Sequence, residues 1–297
     1  MAPRSLRHHL AATLLSAVVL SSIALASDTP KEHTPPRATP MPFVPSEQLV
    51  YEGEFSKLLL RGIKIAELRF TSSRAATAPG PSVPVGGNEG GAPPLMLTTD
   101  VESKGWFRKL FGINFRYHVE TTVGANSFHV LRTAKLDEQG KRVRESEAVF
   151  DYEGKRVEWT ERDPNNTGQT PRVVTAALEG PTQDIVSAIY FLRTLPLTPG
   201  QTFDIAVSDS GRVYRVPGRV VAEKKKLKSV LGKVSVVRVE VELFGEGRPI
   251  EGKGKMSLWV TSDDRRIPVK ARLSHEMGQL DINLKSIRRE NLQVAAE

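Results

Sequence analysis

The chain has 297 residues, 42 Lys and Arg against 34 Asp and Glu, a formal charge of +8, and no cysteine. That length suits one large β-domain or two small ones, and the missing thiols exclude a disulfide framework, a lipid-modified cysteine and a cysteine nucleophile. Basic and acidic residues alternate along most of the chain instead of gathering on one face among aromatics, which sets aside a nucleic-acid binder.

At the N-terminus, Arg4 and Arg7 lead an apolar run from Leu10 to Leu25 that ends in Ala24-Leu25-Ala26. The run is shorter than the roughly 20 residues a bilayer span needs, and its small-x-small ending suits signal peptidase. Residues 1–26 therefore read as a secretory signal cut before Ser27. Losing Arg4 and Arg7 takes the charge from +8 to +6. The product is expected in the periplasm or secreted. Residues 27–46 hold Pro30, Pro35, Pro36, Pro40, Pro42 and Pro45 and read as an extended linker.

From 47 to 290 the pattern predicts a single antiparallel β-domain. Its first strands fall near 48–56 and 62–73, and a glycine- and proline-rich stretch, 75–94, reads as a disordered insertion between strands. Val237, Val239, Val241 and Leu243 alternate with charged residues, as do Leu280, Ile282 and Leu284 with polar ones. Such alternation makes strands with one buried and one wet face. Turn signals stand at Glu138-Gln139-Gly140, Glu153-Gly154, Asp209-Ser210-Gly211 and Met277-Gly278. About a dozen strands so spaced form a sandwich or a barrel.

One segment has a different period. After Gly180-Pro181, Thr182 stands as a cap, and Ile185, Ala188, Ile189, Leu192 and Leu195 recur at three- and four-residue spacing until Pro196. The spacing predicts a helix near 183–194 laying that stripe against the concave face of a curved sheet.

Several of these residues carry a resemblance. Val50-Tyr51-Glu52-Gly53-Glu54-Phe55 with Gly62-Ile63-Lys64-Ile65-Ala66-Glu67-Leu68 is similar to the opening of the domain of unknown function 3108 (DUF 3108), a family of exported bacterial proteins. The helical segment from Asp184 to Leu197 with Pro199-Gly200-Gln201, and the run from Leu258 to Val269, resemble it further. The resemblance spans roughly 47–288 and departs at the long insertion of 75–94. It implies an envelope location and a lipocalin-like or half-barrel fold, with no established activity.

The chemistry-bearing motifs are sparse. His33, His118, His129 and His275 stand at no ligand spacing, although His118 and His129 lie on successive expected strands. No G-x-S-x-G is present. Gly247 to Gly254 nearly spells a phosphate loop, but Gly254 replaces the hydroxyl residue and a strand follows instead of a helix. Asp263-Asp264 beside Arg265-Arg266 reads as a hairpin turn with solvated arginines. No catalytic residue, metal or cofactor is expected, and the chain reads as no enzyme.

Two surface features are candidates for contact. Lys224, Lys225, Lys226 and Lys228 form a basic patch, either a solvated hairpin tip or a site for anionic headgroups. Trp106, Phe107, Leu110 and Phe111 crowd a short segment with Arg108 and Lys109, suited either to a membrane interface or ligand mouth, or to closing the barrel end as core. The sequence reading is a non-catalytic envelope protein whose half-barrel takes a hydrophobic or lipid-like ligand. Its competitor is a structural or assembly factor of the envelope with a filled core.

Overall fold

A computed structural model describes residues 41–75, 93–104, 114–289 and 292–295. The signal segment and most of the 75–94 insertion lie outside the described residues. Strands run in the order β1 (Gln48–Lys57), β2 (Leu60–Arg74), β3 (Leu95–Ser103), β4 (Phe115–Val123), β5 (Val130–Gln139), β6 (Arg142–Asp151), β7 (Arg156–Arg162) and β8 (Arg172–Ala177). A helix, α1 (Ile185–Thr194), separates these from β9 (Thr202–Asp209), β10 (Arg212–Ser229), β11 (Gly232–Val241), β12 (Gly254–Thr261), β13 (Pro268–His275), β14 (Gly278–Arg289) and β15 (Leu292–Ala295). Among the described residues no helix is long and apolar enough to cross a membrane.

The alternation does what its period requires. Val157 and Trp159 of β7 are buried with exposed Glu158 between them, and Leu95, Leu97 and Thr99 of β3 turn inward together. Glycines with positive φ close the expected turns at Gly140, Gly211 and Gly278. Every strand pairs antiparallel with its sequence neighbours except β8 and β9, and β1 joins β14 with Leu49 opposite Ile287. The result is one large antiparallel sheet, mainly β as expected, that is not closed into a barrel.

Its two free edges overlap instead of pairing. Gln183 makes a parallel bridge to Val207 of β9. The β9–β10 turn meets β7 and β8: a Cβ built on Gly211 would stand 2.6 Å from the Val174 Cβ and 3.4 Å from the Trp159 Cβ. The up-and-down order places the β1–β2, β5–β6, β9–β10 and β13–β14 turns at one end. The helix, the segment leading into β1 and the β10–β11 turn lie at the other.

The helix forms where expected but starts differently and buries more than the expected stripe. Asp184, not Thr182, is its N-cap: the Asp184 carboxylate accepts from the Ser187 amide at 2.6 Å, and the Ser187 hydroxyl accepts from the Asp184 amide at 2.9 Å. Thr182 is used one step earlier, its hydroxyl donating to the Gly180 carbonyl at 2.9 Å. The stripe expected to be buried is partly open, with Ile185 43% exposed. Leu192 of that stripe is buried as expected, and the buried face also carries Val186, Tyr190 and Arg193. Arg193 can turn inward because Glu47 meets it there.

The packed chain also begins earlier than the expected boundary at 47. Pro42 and Phe43, placed in the linker by their prolines, are buried. The Phe43 ring packs edge-on against Tyr190 with centroids 4.9 Å apart and against Phe128 at 5.8 Å. A single large aromatic outweighs the proline signal because burying it repays the ordering of its neighbours.

Candidate functional site

The inward rows of the sheet and one side of α1 enclose a cavity of about 410 Å³. That lies within the roughly 300–1,000 Å³ of small-molecule pockets. Leu49 and Tyr51 of β1, Phe70 of β2, Val119 of β4, Ala148 and Phe150 of β6 and Leu258 of β12 supply its wall. Ile185, Ala188 and Ile189 supply its floor, so the helix stripe does face inward but toward open space. The lining is overwhelmingly apolar.

Exposure changes along the wall. Leu49, Tyr51, Phe70 and Val119, beside the helix, are buried. Leu68, Val101, Tyr117, Leu273 and Ile282, further from it, are partly exposed. The cavity therefore deepens toward α1 and opens at the end that carries the β1–β2 and β13–β14 turns.

Few polar groups line it, and each is placed by a particular element. Lys135 of β5 reaches Asp209 of β9 at 3.3 Å and lies 5.2 Å over the Tyr117 ring, joining the two arms of the sheet across the interior. Burial alone would depress this ammonium, but Tyr117 and Asp209 outweigh it and raise it above the ordinary lysine range. Asp184 accepts from Thr133 at 3.0 Å and from Thr121, so the helix cap also binds β4 and β5. Tyr190 and Thr99 are among the lining residues, but their hydroxyl oxygens are themselves buried out of reach of the open space and have no hydrogen-bond partner among the described residues. Burial pushes the Tyr190 phenol well above its usual value, so it stays protonated and available as a donor. An unpaired buried hydroxyl costs about 1–3 kcal/mol.

The family model described as "Protein of unknown function (DUF3108)" matches residues 87–285. The chain belongs to this family. A solved structure described as a beta-barrel-like protein of domain of unknown function DUF1849 from Brucella abortus is similar to it. That likeness has a TM-score of 0.53 and 11% identity, and covers 84% of this chain and 100% of that one. At that identity the similarity shows the fold alone. No curated protein matches the chain.

In this DUF3108 chain the candidate residues part company. Trp106, Phe107, Leu110 and Phe111 lie outside the described residues. Lys225, Lys226 and Lys228 are exposed on β10, while Leu227 between them packs onto the main core; nothing is described of the Lys224 side chain. That basic patch stands at the helix end, opposite the cavity mouth. His118 faces Asp100, its Nδ1 2.7 Å from the carboxylate, and its strand neighbour on β5 is Leu136, so it does not meet His129. The Gly247–Gly254 run is a loop leading into β12. Asp263 does hold a turn, accepting from Thr261 at 2.6 Å and from Arg265 at 2.7 Å. Arg266, expected in solvent, instead donates to the Arg193 carbonyl at 3.0 Å and closes the C-terminal turn of α1.

Sequence reasoning passed over three functional candidates. Lys135 and Asp209 are 74 residues apart and only the overlap of the arms joins them. Tyr190 read as a helix residue without a partner. Leu58-Leu59-Leu60 fell in the connection between the strands expected near 48–56 and 62–73, although an apolar triplet between Lys57 and Arg61 with Gly62 following was a visible signal.

Proposed function

We propose that this protein is a non-catalytic protein of the cell envelope that holds a hydrophobic, lipid-like molecule in its half-barrel. The cavity of about 410 Å³ carries the reading, because it is apolar, opens at one end and is floored by an amphipathic helix whose Ile185 it leaves 43% exposed. Natural cores do not leave such a volume unfilled without cost. Export rests on the basic lead, apolar run and Ala24-Leu25-Ala26 of the first 26 residues. The competing reading, an assembly factor with a filled core, has the open space beside α1 against it.

The test is to purify the chain from Ser27 onward under native conditions, extract it with organic solvent and identify small molecules by mass spectrometry. A stoichiometric lipid or other apolar compound is the expected result. A protein that yields no such molecule, and that binds neither fatty acid nor phospholipid in competition with anilinonaphthalene sulfonate, overturns the reading.

A further inference from the structure

Outside the cavity, the described surface holds one dense apolar feature. At the β1–β2 tip Leu58, Leu59 and Leu60 are 86%, 98% and 49% exposed. Three adjacent exposed leucines are unusual on a soluble surface, where such residues stand singly. The backbone makes them odder. Leu58 has φ of 50°, a left-handed conformation that costs a residue with a Cβ about 1–2 kcal/mol and ordinarily selects glycine or asparagine. No burial of its side chain repays that cost. A residue kept in a strained, solvent-facing position points to a partner that the isolated chain lacks.

Position and charge identify the partner's chemistry. β2 runs on past Ser103, the last residue of β3, which lies opposite Ala66, and β14 accompanies β1 as far as Ser56 opposite Gln279, so the three leucines stand at the tip of the β1–β2 hairpin just beyond that pairing. They do so at the end where the cavity opens, beside the β13–β14 turn, where Phe55 approaches Gly278. Lys57 and Arg61 flank the leucines and are exposed. Apolar side chains at a loop tip with cations one step behind match the layering of an anionic bilayer, with acyl chains below and phosphates above.

We propose that Leu58, Leu59 and Leu60 insert into the surface of an anionic phospholipid bilayer, with Lys57 and Arg61 on its headgroups, and so turn the mouth of the cavity toward the membrane. This stands apart from the identity of any cavity ligand, since vesicle binding needs none. It also orients the molecule: the exposed Lys225, Lys226 and Lys228, at the opposite end, then point away from the membrane.

The experiment is co-sedimentation of the chain from Ser27 onward with phosphatidylglycerol–phosphatidylcholine vesicles and with pure phosphatidylcholine vesicles. Binding to the anionic vesicles is expected, falling roughly tenfold or more in the Leu58→Ser, Leu59→Ser, Leu60→Ser triple variant and in Lys57→Ser with Arg61→Ser. Val173→Ser, which removes an apolar side chain 55% exposed elsewhere, is expected to bind as the native chain does. Lys225→Gln, Lys226→Gln, Lys228→Gln is likewise expected to bind normally. A Leu59→Trp probe should shift its emission to the blue on adding vesicles. Equal binding by the triple leucine variant, or loss on changing the three lysines, overturns the proposal. So does self-association that only the leucine variant abolishes, without vesicle binding. Circular dichroism of each variant separates these outcomes from misfolding.

Discussion

Arg193, in the last turn of α1, and Glu47, just ahead of β1, form a bidentate ion pair with Nη1 to Oε1 at 2.5 Å and Nη2 to Oε2 at 3.1 Å, and both are almost wholly buried. The pair is a junction. Arg289 of β14 reaches Glu47 at 3.2 Å, the Arg193 guanidinium donates to the Arg265 carbonyl at 3.1 Å, and the Phe43 and Tyr190 rings lie 5.1 and 5.6 Å from it. One contact thus fixes the floor of the cavity to the segment just ahead of β1, the β12–β13 turn and β14.

Removing one partner strands the other charge in the core. Glu47→Gln or Arg193→Met should each lower stability by about 3–5 kcal/mol, whereas the double change to apolar residues should cost less than the sum. Urea unfolding followed by tryptophan fluorescence checks this. Additive single costs would mean that the two side chains do not share one site.

The cavity makes a second prediction. Ala148 is a buried wall residue of β6, and its Cβ looks into the space above α1. Ala148→Trp should reduce anilinonaphthalene sulfonate affinity at least tenfold by filling that space, while shifting stability by less than the roughly 1–3 kcal/mol of overpacking a close-packed core. Fluorescence titration and urea unfolding measure the two effects on one sample. A loss of stability in the full overpacking range with unchanged probe binding would place the probe elsewhere.

These contrasts show what a sequence carries. Alternation at Val237, Val239 and Val241 names strands because each face has its own solvent, and Gly140, Gly211 and Gly278 name turns because only glycine takes their φ freely. The helix was legible from its spacing, but its full packing was not. The stripe of Ala188, Ile189 and Leu192 does turn inward, but nothing local shows that Glu47, 146 residues before Arg193, lets the charged side of the helix pack as well. Local pattern likewise omits the β1–β14 pairing and the overlap of β8 with the β9–β10 turn, and the cavity exists only because of both.

Glu52 supplies a pH dependence. It accepts from Lys64 at 2.9 Å, with Lys104 at 3.3 Å and Lys285 at 3.7 Å. Burial raises its carboxyl, but the hydrogen bonds from Lys64 and Lys104 outweigh that and hold it below the usual glutamate range. A lowered folded-state value means stability that is fully present above the unfolded-state value and lost as pH falls through the folded one. The native chain should therefore lose stability below about pH 4.3, and Glu52→Gln should be less stable at neutral pH yet converge with it in acid. Urea midpoints across that range test it; parallel curves would exclude Glu52 as a source of the acid sensitivity.

Gly211 tests the overlap of the two arms. Its φ of +78° disfavours any side chain, and a Cβ there would meet the Val174 Cβ at 2.6 Å. Gly211→Ala should therefore cost about 1–2 kcal/mol for the backbone alone. The clash adds more, because backbone or β8 must move. Val174→Ala leaves the Cβ in place but removes the branches that hold it, so β8 can give way more easily beneath the alanine. Gly211→Ala should then cost less in the Val174→Ala background, a coupling that a double-mutant cycle reads directly. If the β9–β10 turn did not rest on β8, the two changes would add. Lys135 and Asp209 stand just inside this contact, so Gly211→Ala should also part that ion pair and speed probe entry, while the β1–β14 seam on the far side stays paired.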